Sequence, residues 1–186
     1  AKLEVKDYKL GEEYFELINQ IWKSTESSFK KYYGMYGKHT GDGMVYYFLK
    51  DTDSNYIMNS IYCAFELREK VKELGMAWKI RKGWFHDLYM NIGINEGQEY
   101  FGTIVPSPGV EFSALGDSVN HACRLSDFAR YGSIWTTKNL VNKLTIEERK
   151  EIRFGVMRKE HDREIVIENM FSRVMDLSHD DNLRSS

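Results

Sequence analysis

Apolar positions recur along this chain with two periods, one near 3.6 and one near 2. From Glu12 to Tyr33 they fall at Tyr14, Phe15, Ile18, Ile21, Trp22, Phe29 and Tyr32, which predicts an amphipathic helix. Met35–Thr40 and Met44–Leu49 carry aromatic and β-branched residues on both sides of Asp42-Gly43 and predict a β-hairpin. Asp53 and Ser54 can cap a second helix bearing Ile57, Ile61, Ala64, Leu67, Val71 and Leu74, with Gly75 as its stop. The basic, aromatic stretch from Met76 to Phe85 reads as a surface loop. Leu88–Asn95 and Glu99–Val105 read as a second pair of strands around Gly97, and Pro106-Ser107-Pro108-Gly109 is a break.

A strand at Val110–Leu115 leads into a helix from Asp117 to about Arg130, closed near Gly132. Ile134–Thr136 is a short strand feeding a helix, and Thr145-Ile146-Glu147-Glu148 has the capping-box pattern of another. Ile152–Met157 and Glu164–Leu177 read as a closing hairpin, followed by a polar tail, Ser178–Ser186. Helices interleaved with adjacent strand pairs predict an α+β domain over residues 1–177, with helices covering a mostly antiparallel sheet.

Composition narrows the function. The 186 residues are 42% hydrophobic, enough for one core, and the formal net charge of -2 is spread without a basic stripe, which argues against a general nucleic-acid binder. The two cysteines, Cys63 and Cys123, sit in apolar periodic stretches, make no pair-spaced metal motif and fit a reducing, cytoplasmic setting. No apolar run is long enough to span a bilayer.

Two clusters could carry chemistry. In Lys38-His39-Thr40-Gly41-Asp42-Gly43, the plain reading of Asp-Gly is a turn; the functional reading is a carboxylate at a hairpin tip, suited to a hard divalent cation beside a nucleotide phosphate. In the second cluster Asn120 and Arg124 stand four apart, one turn along a shared helix face, while Val119, Ala122, Cys123 and Leu125 take the buried side. Alone, that pair is an ordinary helix surface.

Together the clusters resemble the class III adenylate and guanylate cyclases. Lys38 to Asp42 is similar to the family's Lys-x-x-Gly-Asp hairpin. Gly116-Asp117-Ser118-Val119-Asn120-His121-Ala122-Cys123-Arg124-Leu125 is similar to its Gly-[Asp/Asn]-x-Val-Asn-x-Ala-x-Arg-[Leu/Met] segment, and Ile92–Gly97 to its Gly-Ile-x-x-Gly strand end. The resemblance spans roughly residues 10–177. It implies a ferredoxin-like nucleotide cyclase fold and an adenylate cyclase, a lyase forming 3′,5′-cyclic AMP and pyrophosphate from ATP with two Mg2+ or Mn2+ ions. Asp42 would be one of two metal-holding aspartates. Asn120 would orient the ribose, and Arg124 would stabilise charge growing on the α-phosphate, for which a guanidinium fork suits phosphate geometry.

Base choice in the family falls on Lys38 and Ser113. An ammonium only donates, which suits adenine N1 and not the protonated guanine N1. The Ser113 hydroxyl can accept from the adenine amino group but can also donate to guanine O6, so Lys38 carries most of the discrimination. The resemblance further implies a head-to-tail homodimer with shared active sites and, commonly, a fused or separate regulatory domain.

The match departs from the family at two places. The first metal aspartate belongs to an opening strand of the form Phe-x-Asp-Ile-x-x-Phe-Thr; counting back from Asn19 puts it before Ala1, and nothing in Ala1–Tyr8 fits. The opening strand is therefore expected to be missing, with Asp7 a substitute only across a much shortened loop. The triphosphate-binding lysine has two candidates, Lys159 and Arg163. His39 and His121 read as hairpin and helix surface rather than metal ligands. A catalytically degenerate cyclase-homology module that dimerises or senses nucleotide, and a guanylate cyclase, are the alternatives.

Overall fold

The first helix, α1 (Gly11–Lys31), buries Leu17, Ile18, Ile21, Thr25, Ser28 and Phe29, a single stripe at helical spacing. Glu12 and Glu13 in its first turn and Lys30 and Lys31 in its last complement the helix dipole. Phe15 lies off that stripe and is 67% exposed. The computed structural model describes residues 2–4, 11–105, 109, 111–160, 163–168 and 174–179. Two compact units are distinguished: one runs to Ile92 and takes in Arg130–Gly132, the other runs from Gly93 to Ala129 and resumes at Ser133.

In the first unit, α2 (Tyr56–Lys82) corrects the expected helix end. Gly75 does not stop it. The buried series Val71, Gly75, Trp78 continues the apolar stripe, and a Cβ on Gly75 would come within 2.8 Å of Leu88 Cβ, so this glycine serves close packing. The stop is Gly83, left-handed at φ 66°, whose N–H returns to the Lys79 carbonyl. Most of the stretch expected to be a loop is thus helix. Buried apolar residues of α1 and α2 are joined by a polar clasp. Glu66 accepts from Ser28 Oγ and Lys31 Nζ, both at 2.7 Å, and from Tyr32 Oη at 3.2 Å; Trp78 Nε1 donates to Gln20 Oε1 at 2.8 Å. Cys63 lies in this core, and burial pushes its thiol up to about 12.

The unit's strands run in the order β2 (Met35–Thr40), β3 (Gly43–Tyr47), β1 (Lys2–Glu4), β4 (Tyr89–Ile94). β1 is antiparallel to both neighbours, with Lys2 opposite Gly43 on one side and Asn91 on the other. The chain thus has a three-residue strand between β3 and β4, and its pairing occupies backbone groups of both neighbours. This strand carries lysine, leucine and glutamate, and no aspartate. Asp7 lies outside the described residues.

In the second unit β7 (Ile134–Thr137), β10 (Val174–His179), β8 (Ile152–Glu160) and β9 (Arg163–Glu168) are neighbours in that order, through antiparallel pairings. The expected closing hairpin is therefore three strands, and β10 takes in Ser178 and His179, the first residues of the expected tail. β5 (Tyr100–Ile104) pairs with β6 (Glu111–Leu115) rather than with β4. Helix α3 (Asp117–Phe128) follows β6; α4 (Lys138–Lys143) is capped by Thr137; α5 (Ile146–Lys150) has the expected capping box, with Thr145 and Glu148 bonding each other's backbone.

Candidate active site

In the first unit the β2–β3 register pairs Lys38 with Val45, His39 with Met44 and Thr40 with Gly43. The two central turn residues are therefore Gly41 and Asp42, not Asp42 and Gly43. Gly41 is left-handed, φ 65°, and Asp42 is not, the sign pattern of a hairpin turn that wants glycine first. The result is a half-buried carboxylate at the tip of a tight hairpin. Neither it nor the exposed Lys38 ammonium has a hydrogen-bond or ion-pair partner among the described residues. His39 is occupied with rings: its centroid lies 5.0 Å from Trp22 and 5.5 Å from Tyr36.

In the second unit α3 presents Asn120 and Arg124 on its exposed side, while Leu125 and Ser126 are buried. Asn120 Nδ2 reaches back to the Gly116 carbonyl at 3.4 Å, and the Arg124 guanidinium has no partner among the described residues. Ser113 stands opposite Gly102 in the β5–β6 register. In β8–β9, Lys159 is opposite Glu164, and Arg163 opposite Glu160. Only backbone placement is described for Ser113, Lys159 and Arg163.

The start of α3 is held by residues that the sequence did not single out. Its N-cap is Gly116, which has no side chain to offer. Glu99 supplies an acceptor: its Oε1 takes the Val119 N–H at 2.9 Å, while Oε2 is buried without a hydrogen bond among the described residues. Asn95 Nδ2 donates to Ser118 Oγ at 3.0 Å and to the Ser118 carbonyl at 3.3 Å, and Asn95 Oδ1 accepts from Thr137 Oγ1 at 3.2 Å. Gly93 lets the end of β4 touch the helix backbone, since a Cβ there would overlap the Ala122 carbonyl. An acidic residue at the head of an otherwise apolar strand was the one available signal for Glu99.

A metal can be tested only on the donors present. Among the described residues no group of three His, Cys, Asp or Glu side chains gathers, and Asp42 is the single carboxylate of the expected pair. An oxygen donor at an open turn fits one ligand of a hard cation. A complete two-ion cage is not assembled from the described side chains.

The model of the "Adenylate and Guanylate cyclase catalytic domain" family matches residues 4–165. The chain belongs to this family. Domains of the family act as dimers, bind nucleotide and generally use divalent metals. No curated protein matches the cyclase in sequence. Three solved structures resemble it in fold. The guanylyl cyclase Cya2 has a TM-score of 0.73 and 17% identity, over 91% of this chain and 82% of that one. The adenylyl cyclase CyaB from P. aeruginosa has a TM-score of 0.69 and 17% identity, over 95% and 86%. The catalytic core of a rhodopsin-guanylyl cyclase with converted specificity, in complex with ATPαS, has a TM-score of 0.69 and 14% identity, over 92% and 86%. The mixed α+β fold is thus that of cyclase catalytic domains, and these neighbours include both base specificities. No described helix is long and apolar enough to cross a membrane.

Proposed function

We propose that this cyclase converts ATP to 3′,5′-cyclic AMP and pyrophosphate. The observation that carries the reading is Lys38, an exposed ammonium on β2 without an ion-pair partner among the described residues. It can only donate, so it suits an unprotonated base nitrogen. Ser113 would accept from the adenine amino group. Asp42 would hold cation charge at the hairpin tip. Divalent cations, when bound, lower the pKa of the ribose 3′-hydroxyl and offset triphosphate charge. Asn120 would orient the ribose, and Arg124 would meet charge developing on the α-phosphate as pyrophosphate leaves; a preorganised clamp of this kind contributes about 3 kcal/mol, roughly a hundredfold in rate. Lys159 or Arg163 would meet the triphosphate.

The working unit in this proposal is a head-to-tail homodimer. Its support is the β5–β6 hairpin, where Tyr100, Val105 and Leu115 are 85%, 74% and 65% exposed. Apolar side chains bared on a two-stranded ribbon call for a cover, and a second copy of the chain supplies one. The free thiols Cys63 and Cys123 fit a cytoplasmic setting.

With Mn2+, turnover of ATP should exceed that of GTP, and Lys38→Glu should lower kcat/KM for ATP on the order of tenfold to a hundredfold while improving GTP relative to ATP. GTP preferred by the unaltered protein would make it a guanylate cyclase. One observation favours a second reading, a non-catalytic homology module: β1 carries no aspartate. Absence of turnover with either nucleotide, alongside measurable nucleotide binding, would select it.

A further inference from the structure

The residues assigned to ribose and phosphate stand on a helix whose first turn has no cap of its own. Four N–H groups open any helix unpaired, and Gly116 cannot satisfy them. The segment after β4 supplies an acceptor for one of them, the Val119 N–H, and a donor to Ser118 beside it. Ile94 is fixed by Thr136 Oγ1, which donates to its carbonyl at 3.0 Å, and Thr137 Oγ1 holds the Asn95 amide in one orientation. Thus anchored, Asn95 grips Ser118 through its hydroxyl and carbonyl, and Glu99 grips Val119 through its N–H. The Glu99 carboxylate also lies against Gly116, so closely that a Cβ there would overlap it. A negative group at a helix start is favourable, and here it fills the place an anion would otherwise take. On this helix, the group left to meet phosphate charge is Arg124, two turns along.

From this clamp we infer that Glu99 and Asn95 are positioning residues of the cyclase reaction: they fix the pitch and axial setting of α3, and through it the placement of Asn120 and Arg124. The inference rests on the assignment of those two side chains to the nucleotide. Neither Glu99 nor Asn95 touches substrate in this scheme. Their loss tilts groups that act in the transition state, so kcat falls while nucleotide affinity is kept.

The test compares Glu99→Ala, Glu99→Gln and Asn95→Ala in the full chain, measuring kcat and KM for Mn-ATP and hydrogen exchange at the Val119 amide. Glu99→Ala should lower kcat on the order of tenfold to a hundredfold, as expected for a displacement near 1 Å, with KM within about twofold. Its Val119 amide should exchange faster. Glu99→Gln keeps the acceptor oxygen and should recover most of both. Should Glu99→Ala not fold, Asn95→Ala, which leaves the Val119 bond in place, must still lose kcat at constant KM. Wild-type kcat in a folded Glu99→Ala whose Val119 amide exchanges freely overturns the inference, as does a Gln variant as impaired as the Ala. Arg124→Ala separates the two claims: if it is active, the nucleotide assignment of the helix face fails; if it is inactive while the Glu99 and Asn95 variants keep wild-type kcat, only the positioning role fails.

Discussion

Gly41 and Gly93 are glycines for different physical reasons. Gly41 has open space where a side chain would go but sits at φ 65°, so Gly41→Ala costs only the left-handed penalty, about 1–2 kcal/mol. Gly93 has ordinary backbone angles but no room. Its Cβ would strike the Ala122 carbonyl, the Ser126 N–H and Leu125, all on α3. Those are mostly backbone atoms, which cannot swing aside, so Gly93→Ala forces helix and strand apart. Overpacking of this kind costs about 1–3 kcal/mol or more, and it displaces the Asn120/Arg124 face. Thermal melts and turnover should therefore split the pair: Gly41→Ala loses stability through the turn alone, whereas Gly93→Ala loses stability and the bulk of kcat together. Equal kcat in both variants would contradict the close-contact argument.

Among the elements, the α1–α2 pair has the clearest pH signature. Burial works against an ionised Glu66, but the Lys31, Ser28 and Lys70 donors outweigh it and hold the carboxyl at about 2, below its ordinary 4.5. A carboxyl depressed in the folded state stabilises above its unfolded pKa, and that contribution drains away as pH falls through the folded value. Glu66→Gln should thus cost about 1 kcal/mol at pH 6, a drop of roughly 2–4 °C in Tm. The difference from wild type should shrink between pH 4.5 and about 2. A difference that stays constant across that window would remove the clasp from the account. The same helices mark where sequence reading failed. Period and polarity alone located α1, the β2–β3 hairpin and the capping box of α5. They could not tell Gly75, needed for approach to Leu88, from Gly83, needed for its left-handed angle, because both are glycines inside basic, aromatic sequence. Partner choice was equally hidden. β5 reads as a strand, but its period does not say whether it pairs back with β4 or forward with β6, and it pairs forward.

For the whole molecule, the residues proposed for the nucleotide were picked out by resemblance and by spacing: Asn120 and Arg124, four apart, share one helix face, and α3 keeps both exposed. Glu99 and Asn95 were not, since a clamp drawn from another segment leaves no local pattern. The homodimer reading makes its own prediction. Asp42→Ala and Arg124→Ala should each be inactive, and mixing the two proteins should restore activity, up to about a quarter of wild type if chains exchange at random and one intact site per mixed dimer suffices. A mixture as inactive as its components would sink the shared-site dimer.

The two thiols are unequal in a useful way. Cys63 is sealed in the core and held protonated at neutral pH, whereas Cys123 is half-exposed on α3, one residue from Arg124. Alkylation at neutral pH consequently favours one position, giving a single-colour reporter on α3 without any cysteine having to be engineered in or removed.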